Sequence, residues 1–168
     1  MSSVLHLEHV DHRSPGIAGQ IHRVQMLAYA QEAKLLGATD FPPLRRTPEE
    51  ICTYEEDFFG AWVSEELVGA ISVWPDPEGM GKNIASLVVA PAFQRRGIAR
   101  RLMAEVLRRY GAEMLTVQTG VRNEPALNLY AQFSFVELRR WLVGSEPLEL
   151  VKLHRAPIAS ALVGENAA

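Results

Sequence analysis

Apolar residues along the chain recur at two periods, one near two residues and one near 3.6, and turn residues separate the blocks. Residues 4–10 read as a short first strand. Residues 17–36 carry apolar positions at Ile21, Val24, Leu27, Ala28 and Leu35, a helical stripe that Gly37 is placed to stop. Residues 40–46 contain Pro42-Pro43, so they are read as irregular or extended. In Thr47-Pro48-Glu49-Glu50 the threonine caps a helix, the proline takes its first position and the two acids face its positive end.

Residues 60–63 and 67–74 are apolar runs joined by Ser64-Glu65-Glu66, a hairpin signal, and residues 75–81 are a turn-rich break. Residues 83–89 are apolar on both faces, as expected at the centre of a sheet. The clearest helix spans residues 98–110: Ile98, Leu102, Val106 and Tyr110 repeat every fourth position, Ala99, Met103 and Leu107 lie beside them, and Gly111 ends it. A strand over 113–119, a helix over 123–133 capped by Asn123, and strands over 135–143 and 148–154 complete the order. Hairpins followed by strand–helix–strand–helix–strand predict an α+β fold with a largely antiparallel sheet flanked by helices. Residues 1–155 are read as one domain and 156–168 as a C-terminal tail that frays or packs on a partner subunit.

Composition narrows the function classes. With 48% hydrophobic and 22% charged residues and a net charge of −3, the 168-residue chain is read as a soluble, cytoplasmic domain with no affinity for nucleic acid or membrane. Residues 1–16 lack the apolar core of a signal peptide. The single cysteine, Cys52, is expected to be a small buried hydrophobe, and no metal site is expected: His6, His9 and His12 are read as surface residues.

The chemistry concentrates where the central strand runs into the clearest helix, through Ala90-Pro91-Ala92-Phe93-Gln94-Arg95-Arg96-Gly97-Ile98-Ala99-Arg100. No Ser, Thr, Asp or Asn caps that helix, so its first amides lack a side-chain acceptor. Gly97 and Ala99 allow close approach to the backbone, the helix dipole favours an anion, and Arg95, Arg96, Arg100 and Arg101 add positive charge. Taken alone, this is either a pyrophosphate cradle or a tight turn with solvated arginines. Neither Gly-x-Gly-x-x-Gly nor a complete Walker loop occurs: near Gly81-Lys82, Asp76 stands at the first glycine and Asn83 at the hydroxyl position.

Gln94-Arg95-Arg96-Gly97-Ile98-Ala99 resembles the (Gln/Arg)-x-x-Gly-x-(Gly/Ala) acetyl-coenzyme A loop of the GCN5-related N-acetyltransferases. About thirty residues on, Asn123-Glu124-Pro125-Ala126-Leu127-Asn128-Leu129-Tyr130 resembles that family's Asn-x-x-Ala-x-x-Leu-Tyr helix, and Phe135 fits the aromatic that follows. Ala99 is a variation the pattern allows; Ser134 stands where a glycine usually precedes the aromatic.

The resemblance implies a mixed, largely antiparallel sheet of six to seven strands, splayed where the cofactor enters, and transfer of acetyl from acetyl-CoA to a primary amine by direct attack. It implies that backbone groups of Leu87, Val88 and Val89 pair with the pantetheine arm. Residues Gln94, Arg95, Arg96, Gly97, Ile98, Ala99 and Arg100 would hold the pyrophosphate, Asn123 and Ala126 the cofactor's linker, and Tyr130 would protonate the departing thiolate. Tyrosine (pKa about 10) loses a proton to thiolate (about 8.5) only at a cost of ~2 kcal/mol, so a hydrogen bond comes first. Without the family match, Tyr130 reads as a core aromatic.

An ammonium of pKa about 10.4 is only ~0.1% neutral at pH 7, a penalty of ~4–5 kcal/mol, so a base is needed. Residues 82–96 hold no Asp, Glu or His, which leaves Glu78, Glu55, Glu56, His22 or a water relay. Residues 29–59, 74–81 and 144–147 are expected to select the acceptor, with Phe41, Trp74 and Trp141 as pocket candidates. A small molecule is favoured over a protein as acceptor, and a homodimer is compatible with the family. The alternative is a non-catalytic acetyl-CoA sensor of the same fold.

Overall fold

The computed structural model describes residues 4–146 and 148–158. Alternation along the hairpin β2 (Asp57–Val63) and β3 (Glu66–Pro75) sends side chains to two different cores. Phe59, Ala61, Val68 and Ile71 meet helix α3 (Ile98–Tyr110) through Leu102, Met103 and Val106. Phe58, Trp62, Leu67 and Ala70 meet helix α1 (Pro15–Leu36) through Ile21 and Val24. The strands are therefore apolar on both faces because helices cover both.

Among the described residues seven strands form one sheet. The others are β1 (Leu5–Val10), β4 (Lys82–Val89), β5 (Leu115–Gly120), β6 (Val136–Val143) and β7 (Leu148–Arg155), in the order β1-β2-β3-β4-β5-β7-β6. Every neighbouring pair is antiparallel except β4–β5. That parallel pair holds only at Lys82–Leu115, Asn83–Thr116 and Ile84–Val117. Beyond it β4 stays on β3 as far as Val89, and β5 stays on β7 as far as Gly120, so the two strands part and leave an open V.

A buried polar network closes the base of the V. The Lys152 ammonium donates to Asp76 at 2.8 Å and to Glu78 at 2.9 Å. Asp76 also accepts from the Thr116 hydroxyl at 2.7 Å and from the amides of Glu78 and Met80. Thr116 accepts from Asn83 Nδ2, and Asn83 Oδ1 accepts from Trp74 Nε1, both at 2.9 Å. These side chains come from β3, β4, β5, β7 and the turn after β3, and together they fix where β4 and β5 touch.

Several expectations need correction. Leu27 and Leu35 are each 47% exposed; the inner face of α1 is Ala18, Ile21, Val24, Gln25, Tyr29, Ala33 and Leu36. Ile21 and Val24 of the expected stripe are fully buried, but its second half turns outward because the inner face continues through Gln25 and Tyr29, whose polar ends bond to Ser86. Residues 40–46 contain a 3-10 turn, Pro42–Arg45, before the capping box Thr47–Glu50 opens α2 (Pro48–Thr53). The strands expected to start at Glu113 and Phe135 begin at Leu115 and Val136. His12 is buried, against Phe58 and with its Nε2 2.6 Å from the Tyr54 carbonyl, and Cys52 is half-buried. Within the expected tail, the Ile158 amide bonds to the Gly111 carbonyl at 2.7 Å. Residues 159–168 of that tail, and Pro147 of the 144–147 loop, lie outside the described residues. No helix among the described residues is long and apolar enough to cross a membrane.

Candidate active site

At the open end, β4 passes through Pro91–Phe93, a 3-10 turn, into the loop that starts α3. Gln94 braces this loop, donating to the Val89 carbonyl at 3.1 Å and to Gln31 at 2.7 Å. Arg95 and Gly97 adopt φ of 63° and 77°, and Gly97 is the N-cap of α3 with no side-chain cap. That positive φ explains the glycine. Its Cβ direction is open, with nothing within 4 Å. The amides of Gly97, Ile98, Ala99 and Arg100 have no acceptor among the described residues, as the uncapped first turn requires. The Arg96 guanidinium lies over Phe93 at 5.1 Å and that of Arg100 over Phe133 at 5.8 Å, where Arg100 also bonds Gln132. The loop thus gathers unpaired donors and positive charge at the end of β4.

Between the parted strands lies a cleft of about 840 Å³, walled also by the end of α1, residues 37–43 and residues 143–146. Of the expected residues, Leu87, Asn123, Ala126 and Tyr130 line it. Val88 and Val89 turn buried side chains into the two cores, which leaves only their backbone for a ligand. The 94–100 loop stands outside the cleft walls, at the far end of the same strand.

Helix α4 (Glu124–Gln132) presents the other wall. Asn123 caps it, its Oδ1 accepting from the Ala126 amide at 3.3 Å, while its Nδ2 donates to Glu32 at 3.4 Å. Tyr130 is 5% exposed and packs against Phe135. Its hydroxyl has no hydrogen-bond partner among the described residues. Burial pushes its pKa well above the ordinary tyrosine value, and the charge of Glu32 and the nearby Tyr29 push it further. Ser134 keeps the turn that a glycine would make, at φ 67°, its amide bonded to the Ala131 carbonyl at 3.1 Å.

Four residues not singled out in the sequence stand in the cleft: Tyr29, Glu32 and Arg46, within the 29–59 region expected to select the acceptor, and Ser86 on β4. Glu32 is the cleft carboxylate that bonds Asn123 and whose charge acts on Tyr130. Burial raises its pKa, and the Asn123 hydrogen bond opposes this only in part. The signal was present in sequence: Gln25, Tyr29 and Glu32, at helical spacing, put polar groups on the inner face of α1. The Tyr29 hydroxyl lies 2.8 Å from Ser86 Oγ, and the Gln25 amide donates to Ser86 at 3.4 Å while its Oε1 is left buried without a partner.

The expected bases lie elsewhere. Glu78 is held by Arg139 and Lys152 at the closed end. Glu55 and Glu56 line a separate hollow beside His9 and His12. The His22 Nε2 donates to the Arg46 carbonyl at 2.8 Å. Of the aromatic candidates Phe41 lines the cleft; Trp74 belongs to the closed-end network and Trp141 stacks with Arg139 on the edge strand.

The Acetyltransferase (GNAT) family model matches residues 25–135, and the chain belongs to that family. It is 33% identical over 130 residues to the Bacillus subtilis UPF0157 protein YqkA, covering 77% of this chain and 37% of that one. It is 38% identical over 77 residues to the Escherichia coli peptidyl-lysine N-acetyltransferase YiaC, covering 44% of this chain and 48% of that one. The chain thus spans about a third to a half of the length of these curated relatives. Among solved structures, yncA of Salmonella typhimurium, determined with its cofactor acetyl-CoA, aligns with a TM-score of 0.68 at 15% identity, over 94% of this chain and 96% of that one. The α+β architecture is therefore that of the family.

Proposed function

We propose that this protein transfers an acetyl group from acetyl-CoA to a primary amine, small molecules being the preferred acceptors. One observation carries the reading: β4 and β5 part beyond Ile84–Val117, and the freed edge of β4 leads directly to the uncapped first turn of α3. An extended arm fits along that edge, and a pyrophosphate fits the free amides and arginines at its end. Bound there, acetyl-CoA supplies a thioester whose carbonyl carbon bonds to the amine nitrogen as its bond to sulfur breaks. Glu32 takes the proton that the amine must lose, its raised pKa making it a stronger base than an ordinary carboxylate. Tyr130 points a high-pKa hydroxyl into the same cleft and donates first a hydrogen bond, then a proton, to the thiolate sulfur. A carboxylate and a tyrosine in one cleft weigh against the sensor alternative, and the peptidyl-lysine relative weighs in favour of an amino group as acceptor.

Calorimetric titration with acetyl-CoA tests this reading. Wild type and Gly97→Ala should both bind, the alanine variant carrying the backbone strain without a charge. Gly97→Glu should lose at least about 100-fold in affinity, because a carboxylate would face the pyrophosphate. Folded wild type that binds no acetyl-CoA would end the proposal. Binding with no thiol release across a broad amine panel would favour the sensor.

A further inference from the structure

On its acceptor side the cleft holds an arginine that no carboxylate directly pairs among the described residues. Arg46 is half-buried in the cleft wall, close to Tyr29 and Ser86. Its neighbour Arg45 pairs with Asp40 at 3.4 Å, whereas Arg46 forms no salt bridge among the described residues. Of the acids whose charge reaches Tyr29 or Tyr54, Glu50 is engaged in the capping box of α2, and Glu56 forms no salt bridge with Arg46 among the described residues.

Arg46 is nonetheless held in place. Its guanidinium carbon lies 5.7 Å from the centre of the Tyr29 ring and 5.8 Å from that of Tyr54. Its Nη1 donates to the Tyr29 hydroxyl at 3.3 Å, and its carbonyl accepts from His22. One of five N–H donors is thus used, and a rigid fork remains. A guanidinium in this state matches a planar carboxylate, which takes two parallel hydrogen bonds and supplies the missing charge.

The cleft is dipolar around Tyr29. Arg46 donates to its hydroxyl at 3.3 Å, and Glu32 lies on the same helix, where it accepts from Asn123 at 3.4 Å. Glu32 lies one turn further along α1, toward Tyr130 and Asn123. An ammonium is drawn to the Glu32 end and an anion to the Arg46 end. The other arginine of the cleft, Arg122, is exposed and solvated.

Building on the acetyl-transfer reading, we propose that the acceptor is a small amino carboxylate, its carboxylate seated on Arg46 and its amine turned toward Glu32. The reaction is unchanged: the amine nitrogen gains the acetyl carbon, its proton passes to Glu32, and the thiolate leaves. What Arg46 adds is selection among amines.

The test uses matched pairs on the full chain at saturating acetyl-CoA: glycine, β-alanine, 4-aminobutyrate and lysine, each against its primary amide. Thiol release by wild type should show kcat/KM about ten- to a hundredfold higher for the acids. Arg46→Met should erase that preference, and Arg46→Lys, which keeps the charge but not the fork, should retain part of it. Calorimetry should give all three proteins the same acetyl-CoA affinity, which shows that the variants fold. Equal use of acids and amides by wild type would overturn the inference and leave acetyl transfer standing. So would a preference that survives in Arg46→Met, or turnover confined to amines without a carboxylate. Failure of wild type to bind acetyl-CoA would bring down both readings, and the titration detects it separately.

Discussion

The two ends of the β4–β5 groove bury the same kinds of side chain in opposite states. At the closed end Lys152, 1% exposed, lies between Asp76 and Glu78, and Asp76, Thr116 and Asn83 each have hydrogen-bond partners. At the open end, among the described residues, the Tyr130 hydroxyl has no partner, Glu32 has only Asn123 at 3.4 Å, and Arg46 forms no salt bridge. A satisfied buried network holds strands in register. Unsatisfied groups facing a cleft are free to meet a ligand, and their burial shifts pKa values. The same fold thus spends its polar groups on cohesion at one end and leaves them available at the other.

The comparison breaks most visibly at Lys152. Lys152→Met leaves the buried Asp76 carboxylate without its cation and should cost about 3–5 kcal/mol in urea unfolding. Pairing it with Asp76→Asn should recover part of that loss. Burial alone would raise the Asp76 pKa, but hydrogen bonds from Lys152, Thr116 and the Met80 and Glu78 amides outweigh it and hold the carboxyl at about 2. A folded-state value below the ordinary 3.8 means a contribution that is complete above that pH and lost as pH falls toward about 2. In Lys152→Met the loss should begin at higher pH, and an unchanged acid transition would show that the ion pair does not clamp the strands.

Glu32→Gln sharpens the other side. Turnover should fall by about 100-fold if this group is the base, with acetyl-CoA affinity kept. The wild-type rate should fall as pH drops through the raised Glu32 pKa, and the variant should lose that limb. Stability should move the opposite way. Between the ordinary 4.5 and its raised folded value, the folded protein keeps a proton that the unfolded chain releases, so stability declines as pH rises through that window. Glutamine removes this cost, and the variant should melt higher than wild type at neutral pH. Lower activity with unchanged stability would place Glu32 in solvent rather than in the cleft wall.

The smallest effect is expected at Ser134, in αL conformation beside the Tyr130 wall. Ser134→Gly should stabilise by about 1 kcal/mol and raise Tm by about 2–4 °C without changing turnover. A drop in Tm would mean that the serine side chain contributes more than its backbone strain removes.

Local chemistry was legible in the chain. Gly97 before Ile98, Asn123 before Glu124 and Thr47 before Pro48 are helix starts written in adjacent residues, and all three are observed as N-caps. The apolar run of β4 placed the centre of the sheet, and those of β2 and β3 the hairpin beside it, for the same reason. Glu32 carried a local sign in its helical spacing from Tyr29, but its meeting with Asn123 spans 91 positions of sequence, so its place in the cleft was not legible. Nor was the role of Glu78, whose partners Arg139 and Lys152 lie 61 and 74 positions away.

Element type, helix boundaries and the anion-seeking turn at Gly97 depend on side chains within a few positions of one another, so a reading of neighbours reaches them. The parting of β4 from β5, the insertion of β7 between β5 and β6, and the polar face that α1 turns inward depend on which distant surfaces meet. Tertiary packing alone decided which carboxylate would be saturated by a lysine and which would be left facing the cleft.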